Sequence, residues 1–96
     1  MKIVLTGSRG FIGSTLMKLL PQHEIVEWDV KINKDIRHFE LERDVDFCVH
    51  LASLIDIRDS VNHPEKYWLQ NVEYSKRVFY QCDTKKVPMV YASLSN

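Results

Sequence analysis

The stretch Ile3-Val4-Leu5-Thr6-Gly7-Ser8-Arg9-Gly10-Phe11-Ile12-Gly13 decides how this 96-residue chain is read. The chain has three glycines, and all of them fall here, at Gly7, Gly10 and Gly13. Ahead of them runs a short apolar segment, Ile3–Leu5. Behind them comes a helix-patterned segment that places Ile12, Leu16, Leu19 and Leu20 on one face. Strand, glycine turn and helix in this order form the context in which a G-x-x-G-x-x-G spacing has physical meaning.

Each glycine answers a different need. Gly7 lets the chain reverse as it leaves the strand, at φ values costly for a residue with a side chain. Gly10 removes a Cβ where a pyrophosphate must approach the backbone, and Gly13 lets the helix pack closely on the strand. The helix N-terminus then offers N–H groups and a positive dipole end to phosphates. Ser8, Arg9, Phe11 and Ile12, which complete the turn, join the three glycines as candidate cofactor-binding residues. A P-loop is excluded, because Gly13 is followed by Ser14-Thr15 with no lysine.

Size and composition bound the rest. A chain this short is one domain, residues 1–96, burying about 60–65% of its unfolded surface. An apolar fraction of 45% suits a folded globule. Thirteen basic residues balance thirteen acidic ones, so nothing points to a nucleic-acid or membrane-surface partner. Cys48 and Cys82 form no C-x-x-C and have no histidine at ligand spacing, so no metal site is expected. Two free thiols fit a reducing, cytoplasmic setting. The apolar run at the N-terminus is cut off by Thr6-Gly7-Ser8-Arg9, too early for a signal peptide.

Beyond the first helix, expected over Phe11–Leu20 and stopped by Pro21, Ile25–Trp28 reads as a second strand ending at Asp29. Residues 30–44 are mixed and charged, with at most one short helix near His38–Arg43. Val45–Leu51 is a nearly continuous apolar run, as in a strand covered on both faces. Pro64–Cys82 is the longest predicted helix, with Trp68, Val72, Ser75, Phe79 and Cys82 as its buried stripe. Pro88–Ala92 is a fourth strand. Strands alternating with helices imply an α/β, three-layer fold with a parallel sheet and right-handed crossovers. With the glycine turn after the first strand, the expected spatial order is 3-2-1-4, a Rossmann-like fold shortened to about four strands.

Asp29 lies sixteen positions past Gly13, at the end of the second strand. A carboxylate there accepts hydrogen bonds from the adenosine ribose. Arg9 beside it suits the extra 2′-phosphate of NADP. Asp29 and such a phosphate about 4 Å apart would repel by up to ~4 kcal/mol at an effective dielectric near 20. NAD is therefore expected, with NADP the alternative.

Thr6-Gly7-x-x-Gly10-x-x-Gly13, Asp29, Asp35-Ile36-Arg37, His50-Leu51-Ala52, Pro64…Asn71-Val72 and Val90-Tyr91-Ala92-Ser93 together resemble the extended short-chain dehydrogenases/reductases. The likeness is to their NAD-dependent epimerase/dehydratase branch, which acts on nucleotide sugars, and it runs through the whole chain in the correct order. It implies that Asp35 and Ile36 sit against the adenine. It further implies that Leu51, Ala52 and Ser53 line the pyrophosphate and nicotinamide ribose, and that Asn71 points back towards the strand ends. His50 is expected to be a satisfied strand-end histidine, since a lone histidine is weak evidence for chemistry.

The catalytic Tyr-x-x-x-Lys of that family has no match. Tyr67, Tyr74, Tyr80 and Tyr91 are followed four residues later by Asn71, Val78, Thr84 and Ser95. The place of the family's catalytic Ser or Thr falls on Leu94. No catalytic residue is therefore assigned. The expectation is a dinucleotide-binding portion without turnover of its own, or a non-catalytic module or inactive remnant acting through a partner chain. A sheet ending at a fourth strand leaves an exposed edge, which suggests a homodimer or a partner chain there.

Overall fold

The computed structural model describes residues 1–51 and 62–92; the side chains of Tyr67, Trp68, Gln70 and Asn71 lie outside that description. The elements are β1 (Lys2–Thr6), α1 (Phe11–Leu19), β2 (Glu24–Trp28), β3 (Phe47–His50), α2 (Pro64–Trp68), α3 (Tyr74–Thr84) and β4 (Met89–Tyr91). Two single 3₁₀ turns, Val30–Ile32 and Ile36–His38, occupy the connection from β2 to β3. A π-helical turn, Leu69–Glu73, joins α2 to α3. The long predicted helix is thus one continuous helical stretch in three parts.

All four strands are parallel, in the order β2-β1-β3-β4. This corrects the expected 3-2-1-4: the third strand pairs with β1 and does not lie outside β2. Residues 29–46, with two 3₁₀ turns and no α-helix, carry the chain over β1, so it re-enters the sheet on the far side of β1 from β2. Composition agrees. β2 carries Glu24 and Glu27, as an edge strand does, whereas β3 has Cys48 and His50 fully buried between two neighbours.

Handedness then sorts the layers. The chain crosses the sheet one way from β1 to β2 and the other way from β2 to β3 to β4. Right-handed crossovers therefore put α1 on one face, and both the 29–46 connection and α3 on the other. The core matches this. Val4, Val26 and Cys48, level with one another by register, pack with Ile36, Phe39 and Leu41 of the connection and with Val78 and Cys82 of α3. On the opposite face Ile3 and Leu5 are buried.

Two stripes differ from expectation. In α1 only Gly13 is buried; Leu16 and Met17, and Leu20 just past its end, are half-buried, while Ile12 and Leu19 are 42% and 68% exposed. Gly13 draws the helix so close to the turn that it sets the helix's rotation. In α3 the buried set is Ser75, Val78 and Cys82, with Val78 in place of the outer flank of the predicted stripe.

On the α3 face the register builds two cross-sheet rows. The lower is Val26, Val4, Cys48 and Met89; the upper, at the carboxyl ends, is Trp28, Thr6, His50 and Tyr91. The order reverses direction at β1, so the topological switch point lies between the ends of β1 and β3.

Candidate functional site

The turn after β1 adopts the geometry that its glycines permit. Gly7 has φ 73°, the left-handed region, and its carbonyl accepts from Gly10 N–H at 3.1 Å. A Cβ on Gly13 would lie 2.2 Å from the Gly7 carbonyl oxygen and 2.9 Å from Ser8 Cα, so only glycine fits. Gly10 differs from both. Its φ −79° and ψ 177° suit any residue, and a Cβ there would meet only the Gly7 carbonyl oxygen, at 3.4 Å. The space around position 10 therefore does not by itself demand glycine there.

Gly10 caps α1 without a side chain, and no acidic residue stands in the first turn. The first helical bond, Ser14 N–H to Gly10 C=O at 2.9 Å, leaves the N–H groups of Phe11, Ile12 and Gly13 without helical acceptors. These donors and the dipole end suit an anion. Phe11 is 88% exposed beside them. Ser8 points inward instead. Its Oγ is the one buried side-chain polar atom among the described residues that meets no partner, a cost of about 1–3 kcal/mol carried within the turn.

Asp29 does two structural jobs at the end of β2. Its Oδ2 accepts from Arg9 N–H at 2.8 Å and its Oδ1 from Lys31 N–H at 2.9 Å, tying the glycine turn to the 3₁₀ turn that follows. Each carboxylate oxygen keeps a further lone pair, so acceptance from a ribose remains open to it. The Arg9 guanidinium is turned to Glu27 in a two-pronged pair, Nε to Oε1 at 2.7 Å and the second nitrogen to Oε2 at 3.3 Å. A 2′-phosphate would have to compete with that carboxylate for it.

Asp35 caps the second 3₁₀ turn, accepting from Arg37 N–H at 2.9 Å and pairing with its guanidinium at 3.3 Å. Ile36 is only 2% exposed and belongs to the core, so its main chain alone can front a ligand. A cleft of about 390 Å³ beside the end of β2 includes Trp28, Lys34, Asp35 and Arg37, with Lys34 Nζ 5.4 Å from the Trp28 ring centre. None of the glycine turn lines it. Leu51 leaves β3 with its N–H shared between the carbonyl and Oγ1 of Thr6, at 3.1 and 2.9 Å. Gly7–Gly13, Asp29 and Leu51 are thus gathered at the carboxyl ends of neighbouring strands. Ala52 and Ser53 lie outside the described residues, as does the side chain of Asn71, whose backbone is in the π-helical turn.

His50 is satisfied, as expected of it. Nδ1 lies 2.6 Å from Thr6 Oγ1 and Nε2 lies 2.7 Å from Ser75 Oγ, and burial lowers its pKa to about 4. Tyr91 stacks on the imidazole (centroids 5.3 Å apart, planes at 23°) and meets Phe79 edge-on at 5.3 Å. Sequence reading did not find the roles of Thr6 and Ser75. Their partner is 44 and 25 residues away respectively, and no local pattern carries such a link. The neighbouring Cys82 thiol, through a hydrogen bond, and then burial push the Cys48 thiol up from its usual range, and both cysteines are free. No described group of His, Cys, Asp and Glu could hold a metal ion, and no described helix is long and apolar enough to cross a membrane.

The chain has the fold of several solved enzymes. It is 27% identical to MoeE5, solved with UDP-glucose and NAD, at a TM-score of 0.88 over 99% of this chain and 37% of that one. It is 27% identical to the UDP-Glc/GlcNAc 4-epimerase of Campylobacter jejuni (TM-score 0.81, 96% and 36%). It is 28% identical to TunA, an NAD-dependent NDP-hexosamine 5,6-dehydratase of tunicamycin biosynthesis (TM-score 0.84, 96% and 36%). The chain therefore spans little more than a third of the length of these proteins. None of the curated protein sequences matches it. Residues 3–95 match the profile of the NAD dependent epimerase/dehydratase family, and with the glycine turn, Asp29 and the parallel sheet in place, the chain belongs to that family.

Proposed function

We propose that this chain binds NAD across the carboxyl ends of β1, β2 and β3, as the dinucleotide-binding portion of a nucleotide-sugar epimerase- or dehydratase-like protein. The observation that carries this reading is the pair Gly10 and Gly13. One is glycine because the fold leaves no room for a Cβ; the other is glycine although the fold leaves room. The pyrophosphate would rest on the N–H groups of Phe11, Ile12 and Gly13, with Ser8 and Arg9 contributing main chain. The ribose would rest on Asp29, and the adenine edge on Asp35 and the main chain of Ile36. Leu51, Ala52, Ser53 and Asn71 would complete the nicotinamide side. NAD supplies a hydride acceptor when bound; the residues described here hold and orient it.

NAD is favoured over NADP because Asp29 lies where a 2′-phosphate would come and Arg9 is engaged by Glu27. Isothermal titration with both dinucleotides tests the reading. Micromolar NAD binding with weaker NADP supports it, and no binding of either overturns it. No tyrosine of residues 1–96 has a lysine four positions on, so these residues alone would hold the cofactor without turning it over, with a second copy or a partner chain as the alternative. The β4 edge is the surface for either. Cys48 N–H bonds Pro88 C=O and Ala92 N–H bonds His50 C=O, so by alternation the main-chain groups of Met89 and Tyr91 face outward. A reducing cytoplasm fits the two free thiols.

A further inference from the structure

The upper cross-sheet row carries a buried polar relay that core packing does not require. Thr6, His50 and Ser75 are 0%, 0% and 1% exposed. The imidazole spans the gap between two hydroxyls, at 2.6 Å and 2.7 Å, and its plane is fixed by Tyr91 stacked on one side and Phe79 edge-on at 5.8 Å. A neutral imidazole donates from one nitrogen and accepts at the other, so both of its polar atoms are matched. Aliphatic side chains at these positions would fill the same layer without the cost of desolvating three polar groups. A fully matched buried network instead fixes one arrangement of the elements it joins.

Those elements converge on the proposed site. Thr6 immediately precedes Gly7, His50 immediately precedes Leu51, and Ser75 is the second residue past the π-helical turn. On its β2 flank the glycine turn is anchored by Gly7 N–H to Trp28 C=O at 2.7 Å and by Arg9 N–H to Asp29. On its β3 flank the corresponding anchor is Thr6, which takes the Leu51 N–H on both oxygens and holds His50 through Oγ1. Thr6 and His50 thus join the ends of β1 and β3 at the switch point, and Ser75 joins His50 to α3.

We propose that Thr6, His50 and Ser75 are positioning residues for the dinucleotide, holding the glycine turn, the exit of β3 and the start of α3 in the arrangement that binds it. This rests on the cofactor reading above. Titration calorimetry with NAD is run on the unmodified chain and on Thr6→Val, Thr6→Ser and Ser75→Ala, with far-UV circular dichroism confirming the fold. Thr6→Val and Ser75→Ala should weaken NAD about tenfold at unchanged helical content, the size expected when a buried hydrogen bond is lost. Thr6→Ser, which keeps the hydroxyl, should stay within about twofold. A purely structural role would lower the melting temperature and leave affinity alone, so unchanged affinity in both variants overturns the proposal while the cofactor reading stands. An unmodified chain that binds no NAD overturns both. Should the variants not fold, the ¹⁵N resonances of His50 in the unmodified chain decide. Their movement on saturation with NAD supports the relay's role, and unmoved resonances overturn it.

Discussion

At the scale of single residues, the glycine turn separates what the fold needs from what a ligand needs. Gly13→Ala forces a methyl into the Gly7 carbonyl and should cost about 3 kcal/mol, the upper range for overpacking, read as a lowered denaturant midpoint. Gly10→Val should lower that midpoint far less, by about 1 kcal/mol as valine replaces a favoured N-cap residue, yet abolish NAD binding. A Gly10→Val chain that still binds NAD would remove the site from the turn. His50 makes a second residue-scale prediction. Its folded pKa, about 4, lies below its ordinary 6.5, so the unfolded chain takes up a proton first as pH falls. Stability from this group is present in full above pH 6.5 and declines between pH 6.5 and 4, a loss of roughly 3 kcal/mol. ¹⁵N spectra should show a neutral His50 ring at pH 5; a titration midpoint near 6.5 would contradict the burial argument.

At the scale of elements, the connection from β2 to β3 shows how a segment without a strand partner is held. Gln81 of α3 donates to the Phe39 carbonyl and accepts from Leu41 N–H, both at 2.7 Å. Arg77 Nε donates to the same Phe39 carbonyl, and Lys85 Nζ donates to the Leu41 carbonyl. Side chains of a helix thus stand in for the ladder a neighbouring strand would supply. Gln81→Leu removes a donor and an acceptor together and should lower stability by about 2 kcal/mol, measured by urea unfolding. Asp29 belongs to this scale too, because it joins two turns. Asp29→Asn keeps an acceptor and removes the charge, so the ratio of NADP to NAD affinity should rise several-fold in titration. These links mark the limit of sequence reading. Apolar runs and glycine placement made the four strands, the first helix and the gathering of Gly7–Gly13 with Asp29 legible, because those signals are local. The strand order was not, since no local signal in residues 29–46 says on which side of β1 the chain re-enters the sheet. Val78 was missed because Val78 and Phe79 both lie between Ser75 and Cys82 on one face, and the step of four took Phe79, which is half-buried, over the step of three to Val78. Ser8 and Ile36 were legible as members of their motifs, but not as side chains turned inward.

At the scale of the molecule, β2 and β4 are the outer strands of the sheet among the described residues, and Val90 on β4 is 50% exposed. An edge of this kind, with apolar surface beside it, favours association. Sedimentation velocity across the micromolar range should show a dimer, and a monomer throughout would count against the β4 edge as a contact. The same whole-molecule view governs chemistry. Hydride transfer to or from a sugar carbon must be coupled to movement of a hydroxyl proton, and a positioned acid–base group is worth about 10²- to 10⁴-fold in rate. A tyrosine serves at neutral pH only if a cation lowers its pKa from about 10. Tyr91 is the tyrosine at the carboxyl edge of the sheet, and its ring is committed to His50 and Phe79, with Ser95 where the lysine would stand. Orientation of the sugar is a further large factor, and residues 1–96 span little more than a third of the length of the solved relatives. The 96-residue chain incubated with NAD and a panel of nucleotide sugars should therefore yield neither NADH absorbance nor an epimerised product. Turnover above background that Tyr91→Phe abolishes would show instead that Tyr91 leaves its stack on His50 to reach substrate, and that the acid–base group has been rebuilt at the end of β4.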